Sequence, residues 1–327
     1  MRKKKTLSAL LAGLLMIGAM TACGNSQTLA QEDESQPVIV LGDIPENEMV
    51  PLADTPAIST MLVPVASGTD VKKNEKAAVD ASNTKDGYIM IKYTGGGSAN
   101  IKVLVTGPSK VAYTYNLRND GNYEVFPLSD GNGAYSVGVY KNISGNQYST
   151  EFTTSLTVAL KDAFAPFLVS NQYVNYTAQT LGVVKAKELV TGVTTTLGKV
   201  EKIYDYVIKN FTYDKQLAAT VQSGYLPNLD NVWNKKSGIC FDYAALVSAM
   251  LRSQGIPTKL VIGYTGQAYH AWINVYSAET GWIEGAIYFD GATWKLMDPT
   301  FASSGKSSDS IMKYIGDGKN YTAKYLY

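Results

Sequence analysis

Midway along the chain the apolar residues change their rhythm. From Gly87 to Leu160 they alternate in short runs broken by turns. Tyr88–Tyr93 ends at Gly95-Gly96-Gly97, Ile101–Val105 at Gly107-Pro108, and Val111–Tyr115 leads to Asn119-Asp120-Gly121. Tyr123–Phe126, a turn at Asp130-Gly131, Tyr135–Tyr140, Asn142–Asn146 and Phe152–Leu160 follow. A period of two places successive side chains on opposite faces of a pleated strand, and roughly six or seven short strands at this spacing predict a β-sandwich-like domain over residues 86–160. Beyond a mixed connecting stretch the spacing becomes three and four. Val200, Ile203, Tyr204, Val207, Ile208 and Phe211 make one stripe, which predicts a helix over 197–211. An all-β block followed by mixed helices and strands is an α+β arrangement.

The N-terminus reads as a secretory signal. Arg2, Lys3, Lys4 and Lys5 form a positive start, Leu7 to Met20 an apolar run, and Thr21-Ala22 precede Cys23-Gly24. The run falls short of the ~18 residues of a membrane-spanning helix. Small-small-Cys-Gly resembles a bacterial lipobox, although Met20 stands where that motif usually carries Leu or Val. The resemblance implies a signal peptide over 1–23, with Cys23 diacylated as the mature N-terminus. Stable anchoring takes more than one acyl chain, which this modification supplies. The expected location is therefore the outer side of a cell membrane. Residues 24–85, with prolines at 37, 45, 51, 56 and 64 and a polar stretch from Ser67 to Lys85, read as a flexible spacer.

A formal net charge of +1, with no basic stripe, argues against a nucleic-acid partner. The triple glycine precedes no helix, and Gly305-Lys306-Ser307 has Thr300 where a phosphate loop needs its first glycine, so neither reads as a nucleotide site. Tyrosine is abundant, 23 residues against 8 phenylalanines, as suits either a strand-rich exported protein or a ligand-contacting face.

Chemistry concentrates in the last third. With Cys23 lipidated, the remaining cysteine is Cys240, and the chain holds one histidine, His270. Residues 238–264 begin Gly-Ile-Cys-Phe-Asp-Tyr-Ala. Ala244, Val247 and Leu251 lie three and four apart, Gly255 fits the position just past a helix end, and Pro257 the stop beyond it. Cys240 thus falls at the helix N-terminus, where the dipole favours thiolate over thiol. That position alone suits equally a small buried hydrophobe capping a core helix. Thr258–Tyr264 is β-rich. In Tyr269–Tyr276, Ala271, Ile273 and Val275 take one face, and His270, Trp272, Asn274 and Tyr276 the other. Trp294–Thr300 is a further short strand ending in Asp298-Pro299. If it paired with the histidine strand, Asp298 would lie beside His270 and fix its tautomer, with His270 facing the thiol.

These blocks resemble the transglutaminase-like superfamily. They are Gly-Ile-Cys-Phe-Asp-Tyr-Ala with Leu-Arg-Ser-Gln-Gly-Ile-Pro and Gly-Tyr, then His-Ala-Trp, then Trp-Lys-Leu-Met-Asp-Pro-Thr. The resemblance covers about residues 197–302 within a domain spanning 161–327. It implies a papain-like core with Cys240 as nucleophile, His270 as base and Asp298 as orienting carboxylate. The oxyanion would be held by the Cys240 backbone N–H with Tyr213, or Trp233, as side-chain donor. Asn274 stands where many relatives carry an acidic residue. The calcium sites of animal members match nothing here, so neither metal nor cofactor is expected. The implied activity is a cysteine-dependent amide or peptide hydrolase, or an acyl transferase, acting through a thioester on a protein or peptide, a cell-wall peptide among the candidates. Hydrolysis is favoured. The alternatives are a protein cross-linking transglutaminase and a non-catalytic scaffold whose sandwich does the recognition. Trp272, Trp282 and Trp294 could wall an acceptor channel or belong to the core.

Overall fold

A computed structural model describes residues 61–265, 268–278, 281–283, 287–289, 294–296 and 321–327. Cys23, the signal segment and residues 24–60 lie outside them. In the N-terminal half, β1 (Val71–Lys73), β2 (Ala77–Asp80), β3 (Tyr88–Tyr93), β4 (Ile101–Thr106), β5 (Ala112–Leu117), β6 (Glu124–Pro127), β7 (Gly133–Ser144) and β8 (Gln147–Val158) form two antiparallel sheets. Their orders are β1-β2-β3-β6 and β5-β4-β7-β8. The alternation works as expected. Ile101, Val103 and Val105 of β4 are buried while Lys102, Leu104 and Thr106 are half-buried. Val79, Ile89 and Ile91 of one sheet share a core with Val103, Val137 and Val139 of the other.

Two boundaries differ from expectation. Residues 71–73 and 77–80, assigned to the spacer, are strands. Ala77–Asp80 is wholly buried and pairs with β3, Ala77 opposite Tyr93. Its polar flanks hid it, because Asp80 is itself structural: its carboxylate accepts from the Gly68 and Ser82 N–H groups at 2.8 and 2.9 Å. Asn142–Asn146, read as a separate piece, is the end of β7 and its turn into β8, with Gly145 at φ +50°.

The second half opens with α1 (Leu181–Leu189) and α2 (Thr196–Asn210). Thr195 caps α2 by accepting from the Gly198 N–H at 3.2 Å, and Val200, Ile203, Tyr204 and Val207 are its buried stripe. Then come β9 (Thr212–Tyr213), α3 (Lys215–Thr220), α4 (Leu229–Lys235), β10 (Ser237–Gly238) and α5 (Cys240–Arg252). The antiparallel sheet beyond consists of β11 (Thr258–Thr265), β12 (Ala268–Ser277), β13 (Gly281–Ile283) and, after the separate pair β14 (Ile287–Phe289) and β15 (Trp294–Leu296), β16 (Tyr321–Leu326). Its order is β13-β12-β11-β16. Helix α5 packs against β11 and β12.

Tyrosines join the two halves. The rings of Tyr173 and Tyr327 stack at 3.9 Å, and Tyr113 and Tyr115 of β5 meet Tyr327 edge-on at 5.5 and 5.8 Å. The outer edge of β5 is closed by Gln172 Nε2 donating to the Asn116 carbonyl at 2.6 Å and the Tyr173 hydroxyl to that of Thr114 at 3.5 Å. Much of the tyrosine excess thus serves packing.

Candidate active site

Cys240 is the first residue of α5 and is half-buried, whereas Phe241 through Arg252 are buried. The helix is secured at both ends. At its start, the residue that caps it is Ile239, which has no polar side chain to offer, and Asp242 supplies the missing acceptor. Its Oδ2 accepts from the Ile239 N–H at 2.8 Å and its Oδ1 from the Tyr225 hydroxyl at 2.7 Å. Asp242 is completely buried. Burial pushes its carboxyl above the usual range, and the two donors pull the other way. The same contact pushes the Tyr225 hydroxyl up, burial first and the carboxylate second. Gly238 makes room for this side chain, since a Cβ there would lie 2.6 Å from that of Asp242.

At the other end Gly255, at φ +74°, donates to the Arg252 carbonyl at 3.0 Å and Ile256 to that of Leu251 at 3.1 Å, the paired bonds of a Schellman ending. Arg252 is fully buried. Its guanidinium donates to the carbonyls of Val169 (2.7 Å), Thr258 (2.9 and 2.7 Å) and Tyr327 (2.6 Å), and burial lowers its pKa to about 10. A cation there complements the negative end of the helix.

His270 lies on β12, buried, opposite Gly263 of β11. A side chain at 263 would run into the Thr322 carbonyl oxygen and the Trp272 ring, so glycine lets β16 close in beside β11. The alternation of β12 holds. Ala271, Ile273 and Val275 join the core that contains α5, while Trp272 packs separately with Val261 and Ala323, its ring 6.5 Å from that of His270 and 20° from parallel. Alternation ordinarily marks a half-buried strand, but here both faces are covered. Trp272 is fully buried, and Trp282 sits among Phe164, Phe167, Tyr276 and the Lys259 ammonium, so both are packing residues. The side chain of Trp294 lies outside the described residues.

The two oxyanion candidates part company. Tyr213 lies beside the strand that leads into α5: β9 pairs in parallel with β10, Tyr213 opposite Gly238, and the Asp214 N–H donates to the Gly238 carbonyl at 2.9 Å. Trp233, on α4, stacks on Tyr206 at 5.7 Å, meets Phe211 edge-on, and has the Lys236 ammonium 3.4 Å from its ring centre. Asp298 lies outside the described residues. Among the described residues β15 pairs with β14, and the neighbours of β12 are β11 and β13. Among the described residues no group of three or more His, Cys, Asp and Glu is arranged to hold a metal ion, and no helix is long and apolar enough to cross a membrane.

Sequence reasoning passed over Asp242, Tyr225 and Arg252. The signal for the first was present, an acidic residue at the third helical position behind an apolar cap. Nothing local announces Arg252, whose acceptors come from segments as far away as Val169 and Tyr327.

Helix α5 opens on Cys240 and packs on the antiparallel sheet whose strand β12 carries His270. Residues 185–299 match the family model described as the Transglutaminase-like superfamily, and the chain carries a domain of that superfamily within a mixed helix and sheet structure rich in β-sheet. The uncharacterized protein YebA of Bacillus subtilis is 30% identical over 105 residues, 26% of this chain and 14% of that protein. A protein-glutamine gamma-glutamyltransferase of Pseudomonas aeruginosa is 31% identical over 68 residues, 16% of this chain and 10% of its own length. The chain therefore spans a small part of these relatives. The periplasmic domain of TgpA from Pseudomonas aeruginosa, solved bound to ethylmercury, aligns with a TM-score of 0.33 at 14% identity, covering 75% of this chain and 79% of that one.

Proposed function

We propose that this is an exported, lipid-anchored enzyme in which the Cys240 thiolate attacks an amide or ester carbonyl of a protein or peptide, a cell-wall peptide included, to give a thioester acyl-enzyme. The observation that carries the reading is the placement of Cys240 at the first position of a buried helix packed on the strand that holds the chain's one histidine. In the proposed cycle His270 takes the thiol proton, Asp298 orients the imidazole, and the leaving amine departs with that proton. The oxyanion is held by the Cys240 backbone N–H and by Tyr213, which β9 sets beside Gly238. Trp233 is the second choice, its ring being engaged with Tyr206 and Lys236.

Water then resolves the thioester in a hydrolase, and an amine does so in a cross-linker. Hydrolysis is the favoured outcome. Holding a thioester for an amine against ~55 M water takes a bound acceptor and apolar walls, and Trp272 and Trp282 are committed to packing instead. The purified chain, given a mixed peptide library and a labelled primary amine, is expected to release cleaved peptides or ammonia with little label incorporated. Cys240→Ala should abolish this and His270→Ala reduce it at least a hundredfold. Label incorporation exceeding hydrolysis, lost in Cys240→Ala, would make the protein a cross-linker, and no product of either kind would return it to the scaffold reading. Anchoring is tested in the same preparation: Cys23→Ser is expected to leave the membrane fraction, and continued pelleting would indicate an uncleaved apolar helix.

A further inference from the structure

Asp242 stands out among the groups the proposed mechanism does not use. It is a carboxylate with no exposure, two residues after the thiol, holding one donor on each oxygen. Those donors come from two separate chain segments. The Ile239 N–H belongs to the strand entering the cysteine, which β10 ties to Tyr213, and the Tyr225 hydroxyl belongs to the loop between α3 and α4. That loop in turn approaches the sandwich, where a Cβ on Gly224 would be 3.7 Å from Asn116 Nδ2. Gly238 is the space cleared for this carboxylate.

We propose that Asp242 is a positioning residue for Cys240, its carboxyl locking the backbone that enters the cysteine to the Tyr225 loop and setting an ionisable acid in the same first helical turn as the sulfur. This rests on the reading of Cys240 as the nucleophile. A helix N-terminus alone would favour the thiolate at every pH near neutral. A second anion in that turn opposes it, so ionisation of the thiol comes to depend more on its proton acceptor, the role the proposed cycle gives to His270. The other charged or titratable groups bearing on the Asp242 carboxylate are the Tyr225 hydroxyl, Asp214 and Lys235. Asp214 is occupied in capping α3 through the Leu217 N–H at 2.8 Å.

The test is the pH dependence of Cys240 alkylation by iodoacetamide in the full chain, read as the mass of the Cys240 peptide. Asp242→Asn keeps an oxygen for the Ile239 N–H and a polar partner for Tyr225 but removes the charge. Its thiol titration is expected about one pH unit below that of the natural protein. Asp242→Ser carries the same expectation and stands in if the asparagine chain does not fold by far-UV circular dichroism. Tyr225→Phe preserves the charge, and its titration is expected within about 0.3 unit of the natural one. Superimposable titrations for the natural and Asp242→Asn chains would reduce Asp242 to a helix cap and overturn the proposal. An equal shift in Tyr225→Phe would also overturn it, by making loop position the cause. His270→Ala separates this from the catalytic reading: a thiol indifferent to His270 but shifted by Asp242→Asn would refute the base and leave the proposal standing.

Discussion

At the scale of the residue, two buried ionisable groups hold α5, the helix that opens on Cys240, and they differ in kind. Arg252 is charged and well paired, four hydrogen bonds reaching three carbonyls in three segments. Removing one side of such a set leaves buried acceptors without donors, the costly half of a hydrogen bond. Asp242 is less settled, because burial raises its carboxyl above the ordinary range. The direction fixes a pH dependence. A group whose folded pKa exceeds its unfolded value, ~3.9 for Asp, binds its proton more tightly in the fold. The stability it contributes is full below that value and is lost as pH rises through the raised one. Asp242→Asn imitates the protonated form, so its melting temperature relative to the natural protein should climb between pH 4 and pH 8. A difference that stays constant over that range in thermal denaturation would show that the carboxyl is not shifted.

Elements show where the sequence could be read and where it could not. α2 and α5 were legible because their signals are local: an apolar stripe at helical spacing, and for α5 a glycine and a proline beyond its end. The structure places Gly255 at φ +74° with both bonds of the expected helix ending. The alternation of β12 was equally plain, and it separates Ala271, Ile273 and Val275 from Trp272 as anticipated. β2 was missed because a short strand between Lys76 and Ser82 looks like spacer until its partner β3 is known. Pairing itself was the weak point. Strand-to-strand order depends on contacts distant in sequence, and so the pairing of β15 with β14 could not be read locally. Of the candidate site, the cysteine and histidine could be placed on their elements from sequence. The Asp242–Tyr225 contact, closing a loop of 17 residues, could not.

The whole molecule is less modular than a sandwich followed by a catalytic domain suggests. Residues of both halves share one apolar core, Tyr327 stacks on Tyr173 while meeting Tyr113 and Tyr115, and the Leu326 N–H donates to the Tyr113 hydroxyl at 3.3 Å. One cooperative unfolding transition is therefore expected. The four tryptophans, at 233, 272, 282 and 294, all lie in the second half. Their fluorescence reports that half, whereas far-UV circular dichroism reports both. The two probes should give coincident denaturation curves in urea. A circular dichroism transition lagging behind the fluorescence one would mean that the sandwich stands alone, and would revive its reading as a separate recognition module.

The hydrogen bond between Leu326 and Tyr113 spans 213 positions of the chain. Contacts so remote are reached only after a large loss of chain freedom, and they slow folding accordingly. The helix bearing Cys240 can coil in microseconds, yet the carbonyl of Tyr327 that Arg252 requires arrives only when β16 has docked. The scaffold that holds the helix of Cys240 therefore stays incomplete until β16 is in place, and a half-folded chain lacks the finished setting of that cysteine.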